Sequence, residues 1–441
     1  MSRQSAVIAV TRFGLGAKPG ELSAVAQDPK AWLQGQLQHG VHTRAPMNYG
    51  PDKVLIAEYL NNLRNKKLAK AAKNAGQARQ IYMDQSGARV VAHIRSPQPF
   101  FERLVMFWSN HFTVSAQKKI IAVLANSYEN EAIRPHVNGT FLEMLLAVCQ
   151  HPAMLVYLDN AQSIGANSTA GQRRNKGLNE NLARELLELH TLGVASGYTQ
   201  KDVIALAQIL TGWTQDRNAG KVKMSYKFQA LAHEPGNKVL LGRTYKEQGE
   251  QEGIQALKWL ATHPATAKHI ATKLARHFIS DSPPESAVQS LTKSFIDSGG
   301  HLPTLMDTLI SLDSAWTATP SKFKTSYEYA ISAFRLTGIE PTAAQAMASL
   351  EALNFRPFYA PSPAGYDDVA AAWLSPDALM KRIEWSKRLA LRMPGGSKPM
   401  QLADAAFGDA LSATTRKSLE RAASGSDAIA LLLSSPEFQR R

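Results

Sequence analysis

Along most of this chain, apolar residues recur at the three- and four-residue spacing of helices that bury one face. From Asn179 to Trp213 that pattern carries the densest run of charged and imidazole groups on one predicted helix. There Leu182, Ala183, Leu186, Leu187 and Leu189 follow Asn179-Glu180. Gly193 stops the helix, because glycine tolerates the left-handed conformation of a helix end. Advancing about 100° per residue puts Glu180, Arg184 and Glu188 on one ladder of alternating charge. His190 falls on the opposite side among the leucines, and Glu185 lies at the edge between the faces. Thr199, with Asp202 three residues later, opens a second helix as a capping box. Val203, Leu206, Ala207 and Leu210 give that helix its apolar face, so the unit is a helical hairpin.

The same spacing predicts helices over the rest of the chain. An N-terminal helix ends in a glycine turn at Gly14, Gly16 and Gly20, whose spacing and Pro19 depart from a dinucleotide-binding fingerprint. Residues 21–37 give two short helices broken near Asp28-Pro29, and residues 52–95 read as long helices with a polar middle. The stretch from Pro99 to Thr113 is apolar nearly all round, which predicts a buried helix. It holds Glu102, Arg103, Asn110 and His111, whose polar groups must find partners. Helices follow at 118–131, 140–150 and 152–158. Residues 160–178 form a long polar loop in which Arg173, Arg174 and Lys176 place positive charge at the mouth of any site on the central helix. Alternation from Met224 to Phe228, a turn at Glu234 to Asn237 and a return at Val239 predict one small β-hairpin, at about residues 222–243, with His233 at its bend. Further helices are expected at 251–280, 283–314, 326–336, 341–353, 377–392 and 412–433. A proline- and aromatic-rich loop from Arg356 to Tyr366 either walls a pocket or crosses the core. The fold class is therefore mainly α, a large multi-helix, bundle-like array with one hairpin.

At 441 residues the chain exceeds what one core usually serves. The expectation is one large or two intermeshed helical domains, with a subdivision into a site-bearing part, 1–280, and a C-terminal helical part, 281–441. A net charge of +14 favours an acidic partner: nucleic acid, anionic lipid or an acidic glycan. The excess is spread out, densest at Arg64 to Lys73, Arg173 to Lys176 and Lys381 to Arg392, and no nucleic-acid-binding motif accompanies it. Nucleic acid is thus the least favoured of the three. A single cysteine, Cys149, excludes disulfides within the chain, cysteine-based zinc sites and covalently attached haem. No segment is apolar for the length of a membrane span. The N-terminus lacks the features of a secretory signal, so the expectation is a cytoplasmic protein, or one carried to the periplasm or cell surface by a partner.

Several segments resemble the bacterial family of uncharacterised proteins called DUF1800. They are Arg12 to Ala17, Phe107 to Phe112, Asn179 to Leu186 with Glu188 to Gly193, and Tyr198-Thr199. Leu210 to Trp213, His233 to Gly236, Pro361 to Tyr366 and the closing Ser434 to Phe438 match as well. The family pattern usually has Asp after the hairpin histidine, where this chain has Glu234. The resemblance covers essentially the whole chain but implies no settled reaction. It does imply a partner of the DUF1501 type, a family similar to alkaline phosphatases and sulfatases.

Two functions follow as expectations. In the first the chain is an enzyme, with His111, Glu185, His190 and His233 as catalytic groups. Asn110, Arg173, Arg174 and Arg184 would then bind an anionic or polymeric envelope substrate. His111, Glu188 and His190 could hold a divalent transition metal such as Zn, Mn or Fe, although no HExxH, GxSxG or Walker A motif is present. In the second the chain is a non-catalytic binding or assembly protein for an acidic glycan, an anionic surface or a partner, and its buried histidines are structural. Geometry separates the two, because a site requires these groups to converge on one cavity.

Overall fold

Capping chemistry written in the sequence starts many of the helices. Thr140 with Glu143, Thr199 with Asp202, Thr325 with Glu328 and Thr342 with Gln345 close reciprocal capping boxes. Prolines open the helices that begin at Pro29, Pro99, Pro152, Pro264, Pro376 and Pro399. The computed structural model describes residues 3–38, 73–174, 177–194, 196–216, 224–317, 322–394 and 397–441. Within them lie twenty-two α-helices and two small antiparallel hairpins, so the chain is mainly α. Among these residues no helix is long and apolar enough to cross a membrane. The readings at 52–72, the basic run from Arg64 and the charge of Lys176 fall outside the described residues.

One apolar core takes in side chains from Ala6 to Phe438 and runs across position 280. The Pro99–His111 helix lies inside it, as its all-round apolar pattern requires, with eleven of its residues buried. The 264–278 and 285–297 helices pack together, as do 73–95 with 343–352 and 376–390 with 425–434. Large buried side chains include arginines, which bond backbone of distant segments. Arg103 Nε donates to the Gly14 carbonyl (2.7 Å). Arg335 reaches the carbonyls of Gly16 and Ser96 (2.8 and 3.0 Å). Arg12 donates to the Ala315 carbonyl (2.6 Å) and Arg382 to that of Lys324 (2.7 Å).

Three local expectations are corrected. The strand region contains two hairpins rather than one: β1 (Trp213–Asp216) pairs with β2 (Ser225–Phe228), and β3 (Lys238–Leu240) with β4 (Arg243–Tyr245). Alternation marks 225–228 as a strand without saying which neighbour it pairs with, and it pairs backwards. The second hairpin turns at Leu241-Gly242, both at positive φ, as a tight two-residue hairpin demands. The 160–178 loop contains the short Thr169–Arg174 helix, where Ser168 Oγ accepts from Gly171 N–H. The Pro399–Phe407 helix was not anticipated. The central helix runs from Asn181 to Glu185 and widens into a π turn over Leu186–His190. Gly193 at φ 89° ends it, its N–H bonding the Leu187 carbonyl.

Candidate functional site

Five segments line a cavity of about 280 Å³, the Lys73–Arg95 helix giving Arg89. The 99–111 helix contributes Phe107, Asn110 and His111, and the Pro264–Phe278 helix contributes Lys273, Arg276 and His277. Tyr327 and Glu328 come from the head of the Ser326–Thr337 helix, and the 355–369 segment supplies Phe358, Tyr366 and Asp368. Lys273 and His277 stand four residues apart, so they share one face of their helix.

His277 and Asp368 form a close pair, with Nδ1 2.6 Å from Oδ2. Nδ1–H donates to the carboxylate, which leaves Nε2 as the free nitrogen, and Nε2 has no hydrogen-bond partner. Burial lowers the imidazole to about 4 against the opposing pull of Asp368, so it is neutral at physiological pH. Burial alone would raise the Asp368 carboxyl. His277, Arg441 and Lys322 outweigh that and hold it well below the usual carboxylate range. Lys322 Nζ lies 3.2 Å from Asp368 Oδ1, and an Arg441 guanidinium nitrogen donates to the His277 carbonyl (2.7 Å). Arg441 Nε also lies 3.0 Å from Glu328, which pairs with Arg103 on its other side.

A second buried polar network reaches the cavity through Arg89 and Tyr327. Arg89 grips Glu129 through two 2.7 Å bonds and donates to the Tyr327 hydroxyl (2.7 Å). Tyr327 reaches His93, His93 lies 3.2 Å from Glu102, and Glu102 pairs with Arg134 (2.8 Å). The charges of Arg89 and Arg134 are thereby engaged. Lys273, by contrast, makes no hydrogen bond or ion pair among the described residues, and Arg276 is exposed at the rim. Burial lowers the Lys273 amine to about 8, partly offset by Asp368.

The sequence-predicted residues divide into three groups. His111 and His190 do meet, with rings 5.9 Å apart and His111 Nε2–H donating to the His190 carbonyl (3.1 Å). His269 joins them, 6.2 Å from His111, bonded to the Leu189 carbonyl. His111 Nδ1 and both ring nitrogens of His190 lack partners. Burial holds His190 near 3, His269 near 4 and His111 well below its ordinary value. Of these, His111 lines the cavity. Asn110 lines it too, but its amide is spent on the backbone of Tyr366, accepting from N–H (2.8 Å) and donating to C=O (2.9 Å), and so pins the aromatic loop.

A second group lies elsewhere. His233 bonds the Thr211 carbonyl (2.9 Å) and Glu252 (3.0 Å), a buried knot joined by Lys238, and does not line the cavity. Arg184 pairs with Glu180 (2.8 Å) and Gln200 (3.0 Å) and does not line the cavity. Glu188 accepts from the Tyr198 hydroxyl (3.3 Å), and burial and Glu188 raise the half-buried Glu185 carboxyl. Arg173 is exposed on its short helix, which packs against the 230–232 turn, and Arg174 ends that helix. Among the described residues no three or more His, Cys, Asp or Glu side chains are placed to hold a metal ion, and His111, Glu188 and His190 do not form such a set.

The third group was missed. Lys273, Arg276, His277 and Asp368 all line the cavity, yet only their spacing hinted at it: Lys273 and His277 are one turn apart on an amphipathic helix, and Asp367-Asp368 follow the aromatic loop directly. A family model described as a protein of unknown function, DUF1800, matches residues 8–440. No curated protein and no solved structure matches the chain.

Proposed function

The chain belongs to the DUF1800 family, a family of unknown function, and from the geometry of its cavity we propose that it is an enzyme. Its chemistry is general acid–base catalysis on a small anionic substrate, or on an anionic group of a polymer. One observation carries this reading. A neutral histidine on the wall of a cavity is oriented by a carboxylate through Nδ1 and keeps a buried, unpaired Nε2, and the same cavity presents a lysine without an ion-pair partner and an exposed arginine. His277 is the base, Asp368 fixes its tautomer, and Lys273 with Arg276 receives the negative charge. The cavity's volume suits a substrate portion of a few heavy atoms rather than a whole polymer chain. An acidic glycan of the cell envelope, and a DUF1501-like partner that brings the chain to it, fit as the source of such a group and remain part of the proposal.

A panel of chromogenic carboxylic, phosphoric and sulfuric esters and anionic glycosides tests it. Turnover found with wild type should fall by about 10²–10⁴-fold in His277→Asn, the usual worth of a general base, with binding retained. Turnover unchanged in both His277→Asn and Asp368→Asn would overturn the assignment. Anion binding at Arg276 with no turnover on any member of the panel would favour the non-catalytic binding protein.

A further inference from the structure

The Lys273 amine has a property that a simple anion clamp does not need. Clamping cations on protein surfaces are water-exposed, and the cavity's Arg89 is locked by Glu129 and Tyr327. Lys273 is instead partly buried beside Phe107 and the neutral His111, and no acidic or carbonyl group among the described residues bonds it. Its helix places His277, with its buried and unpartnered Nε2, one turn further on, and Arg276 three residues on at the rim. An unpaired, partly buried amine on the same helix face as a proton-accepting imidazole, with an exposed guanidinium at the rim, is an arrangement for covalent attack on a carbonyl that carries an acidic neighbour.

We propose that Lys273 is a nucleophile that condenses with the carbonyl of an oxo acid to form an imine, the carboxylate of the substrate resting on Arg276. The inference rests on reading the cavity as an anion site. Burial lowers the amine to about 8, so a share of it is neutral at physiological pH. In the step, the neutral Nζ adds to the carbonyl carbon, a C–N bond forms, and the C=O π pair moves to oxygen. Both amine hydrogens end on that oxygen, which leaves as water as the C=N bond closes. His277 Nε2 carries a proton between nitrogen and oxygen. No oxidant, reductant or further reactant is required.

The test traps the imine on the intact protein. Glyoxylate with cyanoborohydride, which reduces an imine to a stable amine, is followed by intact mass and peptide mapping. The expected result is one carboxymethyl group per chain on the peptide containing Lys273, formed well ahead of the other lysines. Glycolate, which keeps the carboxylate but has a hydroxyl in place of the carbonyl, should suppress it. Lys273→Met and Lys273→Arg should both lose it, the arginine variant guarding against a folding defect by keeping charge and length. Label spread over surface lysines equally in wild type and both variants overturns the proposal. Calorimetry with glycolate separates the two layers. Glycolate bound in wild type and lost in Arg276→Gln, with no label on Lys273, overturns the nucleophile and leaves the acid–base site standing. Neither glycolate binding nor label overturns both.

Discussion

His190 shows how much a residue's neighbours decide about its chemistry. Its ring is fully buried and neither nitrogen has a partner, while its backbone carbonyl serves His111. A buried polar group without a partner costs about 1–3 kcal/mol. His190→Leu, of similar volume, should therefore stabilise the protein by about 1–2 kcal/mol, read from urea denaturation at neutral pH. A loss of stability would mean that His190 has a bonding partner in solution. The histidines also set the response to acid. Burial holds His190 near 3 and His269 and His277 near 4, against 6.5 for the free side chain. Between those values the unfolded chain binds protons that the folded one cannot. The stability they contribute is complete above pH 6.5 and is lost as pH falls toward 4, at ~1.4 kcal/mol for each unit of depression. Thermal melts across that range should show a steep fall, partly flattened in His190→Leu.

At the scale of elements, the sequence specified most helices through caps, prolines and apolar stripes, because those signals are local. The Thr199–Asp202 capping box and the buried 99–111 helix were both legible. The strand partners were not, since period-two alternation is the same whichever neighbour completes the ladder. The sequence leaves the aromatic loop two roles, and the structure makes it a cavity wall pinned by Asn110. Gly365 is the hinge of that pin. It sits at φ 87°, and a Cβ there would lie 2.5 Å from the Asn110 carbonyl oxygen. Gly365→Ala should cost about 1–3 kcal/mol and displace the segment that carries Asp368. A lowered melting temperature accompanied by weaker glycolate binding would bear this out; unchanged binding would separate the loop from the site.

For the whole molecule, charge works inside as well as outside. Ten buried Lys and Arg side chains stand against five buried Glu among the described residues, so part of the +14 is internal. Those cations tie remote segments to one another, as Arg103 joins the Gly14 turn to Glu328, and Arg441 joins Glu328 to His277. Removing the shared anion should be felt everywhere. Glu328→Gln leaves two buried guanidiniums short of a counter-charge and should cost about 3–5 kcal/mol. Calorimetry should show one lowered transition; two separate transitions would favour the division at 280 into independent folding units.

By itself the sequence determined the helical class, the positions of most helices, the family and the burial of the 99–111 helix with its polar passengers. The class, the helices and that burial follow from spacing and capping within a few residues of one another, and the family from its matching motifs. Only the tertiary structure decided which histidine faces a cavity and which is closed in. The role proposed for His277 depends on Asp368, ninety-one positions away, and that proposed for Lys273 on the absence of any bonding partner among the described residues. Only packing, likewise, brings His233 to Glu252 and leaves it and Arg184, paired with Glu180, away from the cavity. Local pattern fixes which face a side chain leaves from. What it meets there is a property of packing between segments distant in sequence.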